Sequence, residues 1–293
     1  MKVKLKNFFT QFFIYISKEN NQNKLKKINL GLSIVCVFFI VSILDGYQNS
    51  FSFKSIKFSE ITLLFIAYFT AGYLWSTYMK DNFKGNFKDY FYNWALSNVG
   101  KFFPSGVMLL AVRLNQDTEE KSSKDIFYGV LEEQFLFPII SIPALGFVIF
   151  FEHGNYSMYF FPIYLVVFFY IVKKIYVRTK IRNKSLIDYP TLFLLSLYIQ
   201  FLTLYHIAES IGYDNPFRIA AYYLLSSSLG LFFVGVPAGF GIREAIFFTI
   251  TNSFMGNAFL LEYIVKVRVI YLLADIFFGV LGFLNIYLKN NYE

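Results

Sequence analysis

The chain has 293 residues, of which 56% are hydrophobic, 22% aromatic and only 16% charged, where an ordinary soluble domain carries about 25% charged residues. This excludes a soluble globular protein, and it excludes disorder, because the apolar content far exceeds what a disordered chain carries. The net charge of +8, from 27 basic and 19 acidic residues, sits in loops between apolar blocks, where membrane topology and anionic lipid explain it better than nucleic acid.

The apolar blocks are roughly 17–25 residues long, enough for a helix to cross a ~30 Å hydrocarbon core. They are continuously apolar rather than alternating with period two, which argues against a β-barrel. Residues 1–28 form a basic segment with seven lysines and one acid, Glu19. Between the lysines runs an aromatic stretch, Phe8-Phe9-Thr10-Gln11-Phe12-Phe13. Two readings stand: an interfacial helix on an anionic leaflet, or a disordered basic tail. Either faces the cytoplasm.

Spans are expected at 29–45, 58–79, 126–151, 158–174, 190–211 and 262–288. Two further apolar blocks, 90–113 and 218–256, are broken by proline and glycine. The loop at 173–184 carries Lys173, Lys174, Arg178, Lys180, Arg182 and Lys184 and no acid, so it is expected inside. The loops at 152–157 and 212–217 have no lysine or arginine and are expected outside. With these constraints, block 90–113 enters and leaves on one side, with its tip at Pro104-Ser105-Gly106. Block 218–256 does the same from the opposite side, with its tip at Pro237-Ala238-Gly239.

The expected fold is therefore an all-α polytopic membrane protein with about six full spans and two Pro-Gly-broken hairpins. A single transmembrane domain covers 29–289. Its halves, about 58–151 and 190–288, read as an inverted repeat of the kind found in transporters. The alternative is that the prolines and glycines merely kink ordinary spans. The expected location is the plasma (inner) membrane, multi-pass, with both termini cytoplasmic.

The most informative segment is Val236-Pro237-Ala238-Gly239-Phe240-Gly241-Ile242-Arg243-Glu244. Arg243 and Glu244 are the only charged residues within 219–261, and each would cost about 2.5–3.5 kcal/mol at a bilayer centre. Gly239 and Gly241 allow a turn and a close approach to a ligand. A helix starting after them turns its N-terminal amides toward the tip, and Arg243 adds a planar cationic fork, a combination suited to phosphate. The bland alternative is a structural Arg–Glu pair. Neighbours on a helix do not face each other, so Glu244 is expected to find Arg268 or Lys266 instead.

The first hairpin offers Lys101 and Arg113 on either side of Pro104 and Gly106. Both are candidates for phosphate contact, and both could instead snorkel to the interface. Glu132 and Glu133 lie inside an apolar span as candidate counter-ions or proton carriers. Asp275 sits near the middle of the last span, while Arg268 and Lys266 lie nearer its outer end and could be interfacial. His206 and Glu209 read as ordinary polar residues. Cys36 is alone, and His153 and His206 cannot make a His-rich metal site. No Walker A or dinucleotide fingerprint is present, so no metal and no cofactor are expected.

At these two motifs the chain resembles the transmembrane region of lysylphosphatidylglycerol synthases, a group of flippase-like integral membrane proteins. One family motif appears as Val99-Gly100-Lys101-Phe102-Phe103-Pro104-Ser105-Gly106 followed by Arg113. The other appears as Pro237-Ala238-Gly239-Phe240-Gly241-Ile242-Arg243-Glu244. A family glutamate fits Glu132 or Glu133, and a basic residue opening the last span fits Arg268. Ser105 and Ala238 stand where the family usually has glycine. The resemblance covers roughly 25–288 and implies a module that translocates or handles a lipid bearing phosphate: a phospholipid, a glycolipid or a polyprenyl-linked sugar. The chain ends at Glu293 without the family's soluble transferase domain, so lysyl transfer is not expected. The alternatives are a membrane-embedded lipid-linked transferase, with Glu133 or Asp275 as base, and a non-catalytic partner of a glycolipid or cell-envelope biosynthetic complex. The partners implied are membrane lipids and a glycosyltransferase or other lipid-biosynthetic enzyme; nucleic acid is not among them.

Overall fold

The computed structural model describes residues 56–83, 85–99, 113, 123–150, 157–177, 186–230, 242–251 and 256–292. Among them the secondary structure is helical throughout: α1 (Phe58–Asn82), α2 (Phe87–Val99), α3 (Ser123–Phe150), α4 (Ser157–Val177), α5 (Pro190–Ser210), α6 (Pro216–Gly230), α7 (Ile242–Thr251) and α8 (Asn257–Tyr292), with a short 3-10 turn at Leu186–Asp188. Three stretches, Phe58–Asn82, Pro190–Ser210 and Phe259–Asn285, are long and apolar enough to cross a membrane. The expected first span at 29–45, the basic segment 1–28 and both hairpin tips lie outside the described residues.

Local chemistry sets the helix ends. Glu60, in the first turn of α1, accepts the Lys57 N–H with Oε2 at 3.0 Å, satisfying one of the orphan donors of a helix start. Pro190 opens α5, where its missing N–H costs nothing. The same helix closes on Gly212 at φ +83°. There the Gly212 N–H donates to the Glu209 carbonyl at 3.0 Å and the Tyr213 N–H to the Ala208 carbonyl at 3.4 Å, the double bond of a Schellman cap. Asn215 then caps α6 by accepting the Arg218 N–H at 3.1 Å, and Pro216 is its first residue. The chain thus reverses between α5 and α6 within a few residues.

Ring contacts give the helix directions. Tyr73 meets Phe87 (5.0 Å between ring centroids), Phe69 meets Phe91 (5.5 Å) and Tyr68 meets Trp94 (6.2 Å), so α2 folds back antiparallel along α1. Tyr189 donates to Asp81 at 2.6 Å at one end of α1, and Ser196 donates to the Ala67 carbonyl at 3.4 Å farther along, so α5 is antiparallel to α1. Burial, followed by the hydrogen bond to Asp81, pushes the Tyr189 phenol above the usual tyrosine range. Lys266 bonds Glu60 at 3.0 Å and Tyr68 bonds Asp275 at 2.8 Å, so α8 runs parallel to α1, with Phe65 stacked on Phe277 at 4.8 Å. Phe161 with Phe201 and Phe169 with Phe193 pair α4 antiparallel to α5. Tyr223 packs on Phe247 at 5.1 Å and Gly230 lies beside Arg243, so α6 and α7 are antiparallel neighbours. Ser141 and Ser228 share a 2.7 Å hydrogen bond that joins α3 to α6.

The interior is aromatic, with Trp75, Tyr78, Phe161, Phe169, Phe201, Tyr223, Phe247 and Tyr263 fully enclosed. The outward faces are apolar too. On α4, Val166, Val167, Tyr170 and Ile171 are exposed, and on α8 Leu272, Leu273, Ile276, Phe277, Val280 and Phe283. A helix that is apolar all round, with a wide exposed share, suits a lipid surrounding rather than water.

Candidate functional site

The sequence motifs leave charged side chains inside apolar helices, and the fold gathers them into separate groups. In the first, Arg113 is only 1% exposed. Its guanidinium is held on three sides: an ion pair with Glu133, a bond from Nε to Ser97 Oγ at 3.0 Å, and the Trp75 ring, whose centroid is 4.4 Å from Cζ. Trp94 donates its indole N–H to Glu133 Oε1 at 3.2 Å. An arginine so placed is not snorkelling; its charge is met by a carboxylate, a hydroxyl and an aromatic face. Glu132, next along α3, accepts the Leu186 N–H at 3.5 Å and so faces another direction from Glu133. Lys101, Pro104 and Gly106 lie outside the described residues.

The second group belongs to α7 and α8. Glu244 is paired with Arg268, whose Nε donates to Oε1 at 2.6 Å and whose Nη2 reaches the same oxygen. Asp275, two helical turns further along α8, is buried and accepts the Tyr68 hydroxyl. Arg243 stands against Gly230, whose hypothetical Cβ would lie 3.3 Å from Arg243 Cβ. The arginine is within electrostatic reach of the Tyr68, Tyr223 and Tyr271 hydroxyls. Arg268 acts on Tyr223 and Tyr271 as well. Glu244 and Arg268 form an ion pair between α7 and α8, and Asp275 is held by the Tyr68 hydroxyl of α1. Pro237, Gly239 and Gly241 lie outside the described residues.

The two groups touch. Tyr68, bonded to Asp275, packs its ring against Trp94, bonded to Glu133. Phe278 completes this contact against both rings. Tyr68, Trp75, Trp94 and Ser97 carry no signal of charge in the sequence. One clue was available: tryptophan occurs twice in a chain with 39 phenylalanines and 23 tyrosines, and it combines a large ring with an N–H donor.

Lys266 is enclosed by protein rather than exposed at its end of α8. It is fully buried, with Nζ donating to Glu60 Oε1 at 3.0 Å and to Ser210 Oγ at 2.5 Å. The reason is Glu60, which the fold brings to it from the start of α1. His206 lies on an exposed part of α5 beside Glu209, 3.1 Å away. Among the described residues no three His, Cys, Asp or Glu side chains are grouped as metal ligands.

Chemically, the charges of Arg113 and Arg268 are each answered by a carboxylate, and a guanidinium fork is a geometry that also suits phosphate. Beside Arg113, Trp75 Nε1 and Asn98 Oδ1 are buried without a hydrogen-bond partner. Such atoms cost about 1–3 kcal/mol each, and they could be satisfied by a polar group entering between α1 and α2. No family model, no curated protein and no solved structure matches this chain.

Proposed function

We propose that this chain is a flippase-like, multi-pass transporter of the plasma (inner) membrane that moves a lipid carrying phosphate. The observation that carries this reading is the contact through Tyr68 and Trp94 between the Arg113–Glu133 pair and the buried Asp275, inside helices whose outer faces are apolar. Charged side chains at membrane depth are costly, and their usual uses are binding and translocation.

In the proposed arrangement about six helices span the bilayer, and two hairpins of opposite orientation bring Pro104–Gly106 and Pro237–Gly241 toward each other. Both termini are cytoplasmic, which places the start of α1 and the end of α5 outside. Arg243, with the amides following Gly239 and Gly241, binds the phosphate from one half; Arg113 and Lys101 bind it from the other. Glu133 is the carboxylate exchanged for phosphate at Arg113, while Glu244, Asp275 and Arg268 serve as counter-ions or carry a coupling proton.

The test is translocation of fluorescent phospholipid and polyprenyl-phosphate analogues in proteoliposomes. Wild-type protein is expected to move at least one analogue between leaflets, and Arg243→Ala to abolish the movement. An unchanged rate in Arg243→Ala would overturn the assignment of the site. No movement of any phosphate-bearing lipid would overturn the function.

A further inference from the structure

A carboxylate and an ammonium are sealed where the first turn of α1, the last turn of α5 and the early part of α8 meet. Glu60 and Lys266 are both 0% exposed. Lys266 Nζ bonds Glu60 Oε1 and Ser210 Oγ, and the second carboxylate oxygen holds the Lys57 N–H. One ion pair therefore ties three helix ends together.

It differs in kind from the other two pairs. Glu133 and Glu244 are 24% and 16% exposed, and their partners are arginines, which keep their proton in proteins. In the Glu60–Lys266 pair both members can change protonation. Burial tolerates the two charges only together; losing one strands the other in a low-dielectric site. The cheapest relief for a stranded charge is water, which can enter only if the helix ends part. The path is short, because Glu60 lies two residues after Phe58, which is 82% exposed.

We propose that Glu60 is a proton-binding site whose occupancy opens this end of the helix bundle. A proton from an acid in the adjoining water is taken up by Glu60 Oε1, giving a neutral carboxyl and the acid's conjugate base. The ion pair is lost, and the Lys266 ammonium gains water as α1, α5 and α8 separate there. Loss of the proton to water restores the pair and the seal. This goes beyond the lipid-transport reading and uses only the burial of the pair between apolar helices.

Other charged or titratable groups at this end, among the described residues, are Lys57 on α1, His206 and Glu209 on α5, Tyr213 and Asp214 in the turn after it, Arg218 on α6, and Glu262, Tyr263 and Arg268 on α8. His206 is 43% exposed and faces Glu209.

The reporter is Ile207, fully buried one turn before the end of α5. Full-length protein carrying Cys36→Ser and Ile207→Cys, in lipid nanodiscs, is reacted with a water-soluble thiol reagent. Its labelling rate is divided by that of an Asp214→Cys control on the same exposed turn, which corrects for the pH dependence of thiol reactivity. The ratio is expected to rise on the order of tenfold as the buffer is acidified from neutral pH, the size of a modest population shift. The rise should persist in His206→Gln. Glu60→Gln should be open at neutral pH, and Glu60→Gln with Lys266→Met closed at every pH. A flat ratio in the reporter protein, a rise that vanishes in His206→Gln, or an acid response in the double variant would each overturn the proposal. The reporter protein keeps both charges, so a misfolded Glu60→Gln leaves the test decisive. The readout involves no lipid movement, so its failure and that of the transport reading are separate results.

Discussion

Arg113 cannot shed its charge, so everything around it must answer that charge. Glu133 supplies the ion pair, Ser97 a hydroxyl and Trp75 a ring face. Truncating one member of a buried pair leaves the other uncompensated, whereas replacing both with apolar residues of similar size is often neutral or stabilising. Arg113→Met alone is therefore expected to destabilise the protein by about 3 kcal/mol. The double variant Arg113→Met with Glu133→Leu should recover most of that. Unfolding in mixed detergent micelles, followed by tryptophan fluorescence, measures both, and equal losses in the single and double variants would mean the pair is not the stabilising unit. If Arg113 also binds phosphate, the double variant folds but does not transport. The charged members of this group were legible in the sequence because a charge within an apolar block stands out. Tyr68, Trp75, Trp94 and Ser97 were not, because a neutral aromatic or a serine in a chain this rich in apolar and aromatic residues looks like packing.

Helices close against one another where a side chain is missing. A Cβ built on Gly282 of α8 would sit 2.5 Å from the Tyr92 carbonyl oxygen and 2.6 Å from the Leu96 nitrogen of α2. These are backbone atoms and cannot swing aside, so the helix axes themselves must part, and small residues are what allow such approach between membrane helices. Gly212 is a different case. A Cβ there meets nothing within 4 Å, but its φ of +83° is a conformation that L side chains rarely adopt. Gly212→Ala is expected to cost about 1 kcal/mol, a purely local penalty. Gly282→Val should cost more and should loosen α2 from α8. Thermal unfolding of the two variants, with a disulfide trap between α2 and α8, separates the effects; equal losses with unchanged trapping would refute close packing at Gly282. The extents of α1, α3, α4 and α5 were readable from apolar runs bounded by caps, prolines and glycines. The length of α8 was not, because Asn257–Tyr292 continues as helix beyond the apolar stretch that hydropathy detects. Pro138, Pro143 and Pro162 lie inside helices, where packing in a bundle supports backbone groups that proline leaves unpaired.

On the scale of the whole molecule, the sequence pattern could assign charges to spans but could not say which spans meet. Glu60 and Lys266 are 206 positions apart; neither spacing nor periodicity links them, and only the parallel docking of α1 and α8 does. The same docking sets the two tryptophans inside. Trp75 and Trp94 are almost fully buried, whereas Phe283 on α8 is 58% exposed among apolar neighbours. Lipids brominated along the acyl chain quench tryptophan on contact, so the protein in such lipids reports which rings face the bilayer. Wild-type fluorescence should be quenched weakly, because both indoles are enclosed between α1, α2 and α8 and held by Arg113 and Glu133. Phe283→Trp should add a component that the same lipids quench strongly. Strong quenching of the wild-type protein would place Trp75 or Trp94 against lipid and break up the Arg113–Glu133 group. Weak quenching in both proteins would mean that the apolar face of α8 is covered by protein rather than by lipid. Adding a lipid cargo should then change the wild-type spectrum without increasing its quenching by brominated lipid, since a polar group entering beside Arg113 reaches Trp75 Nε1 from within the bundle.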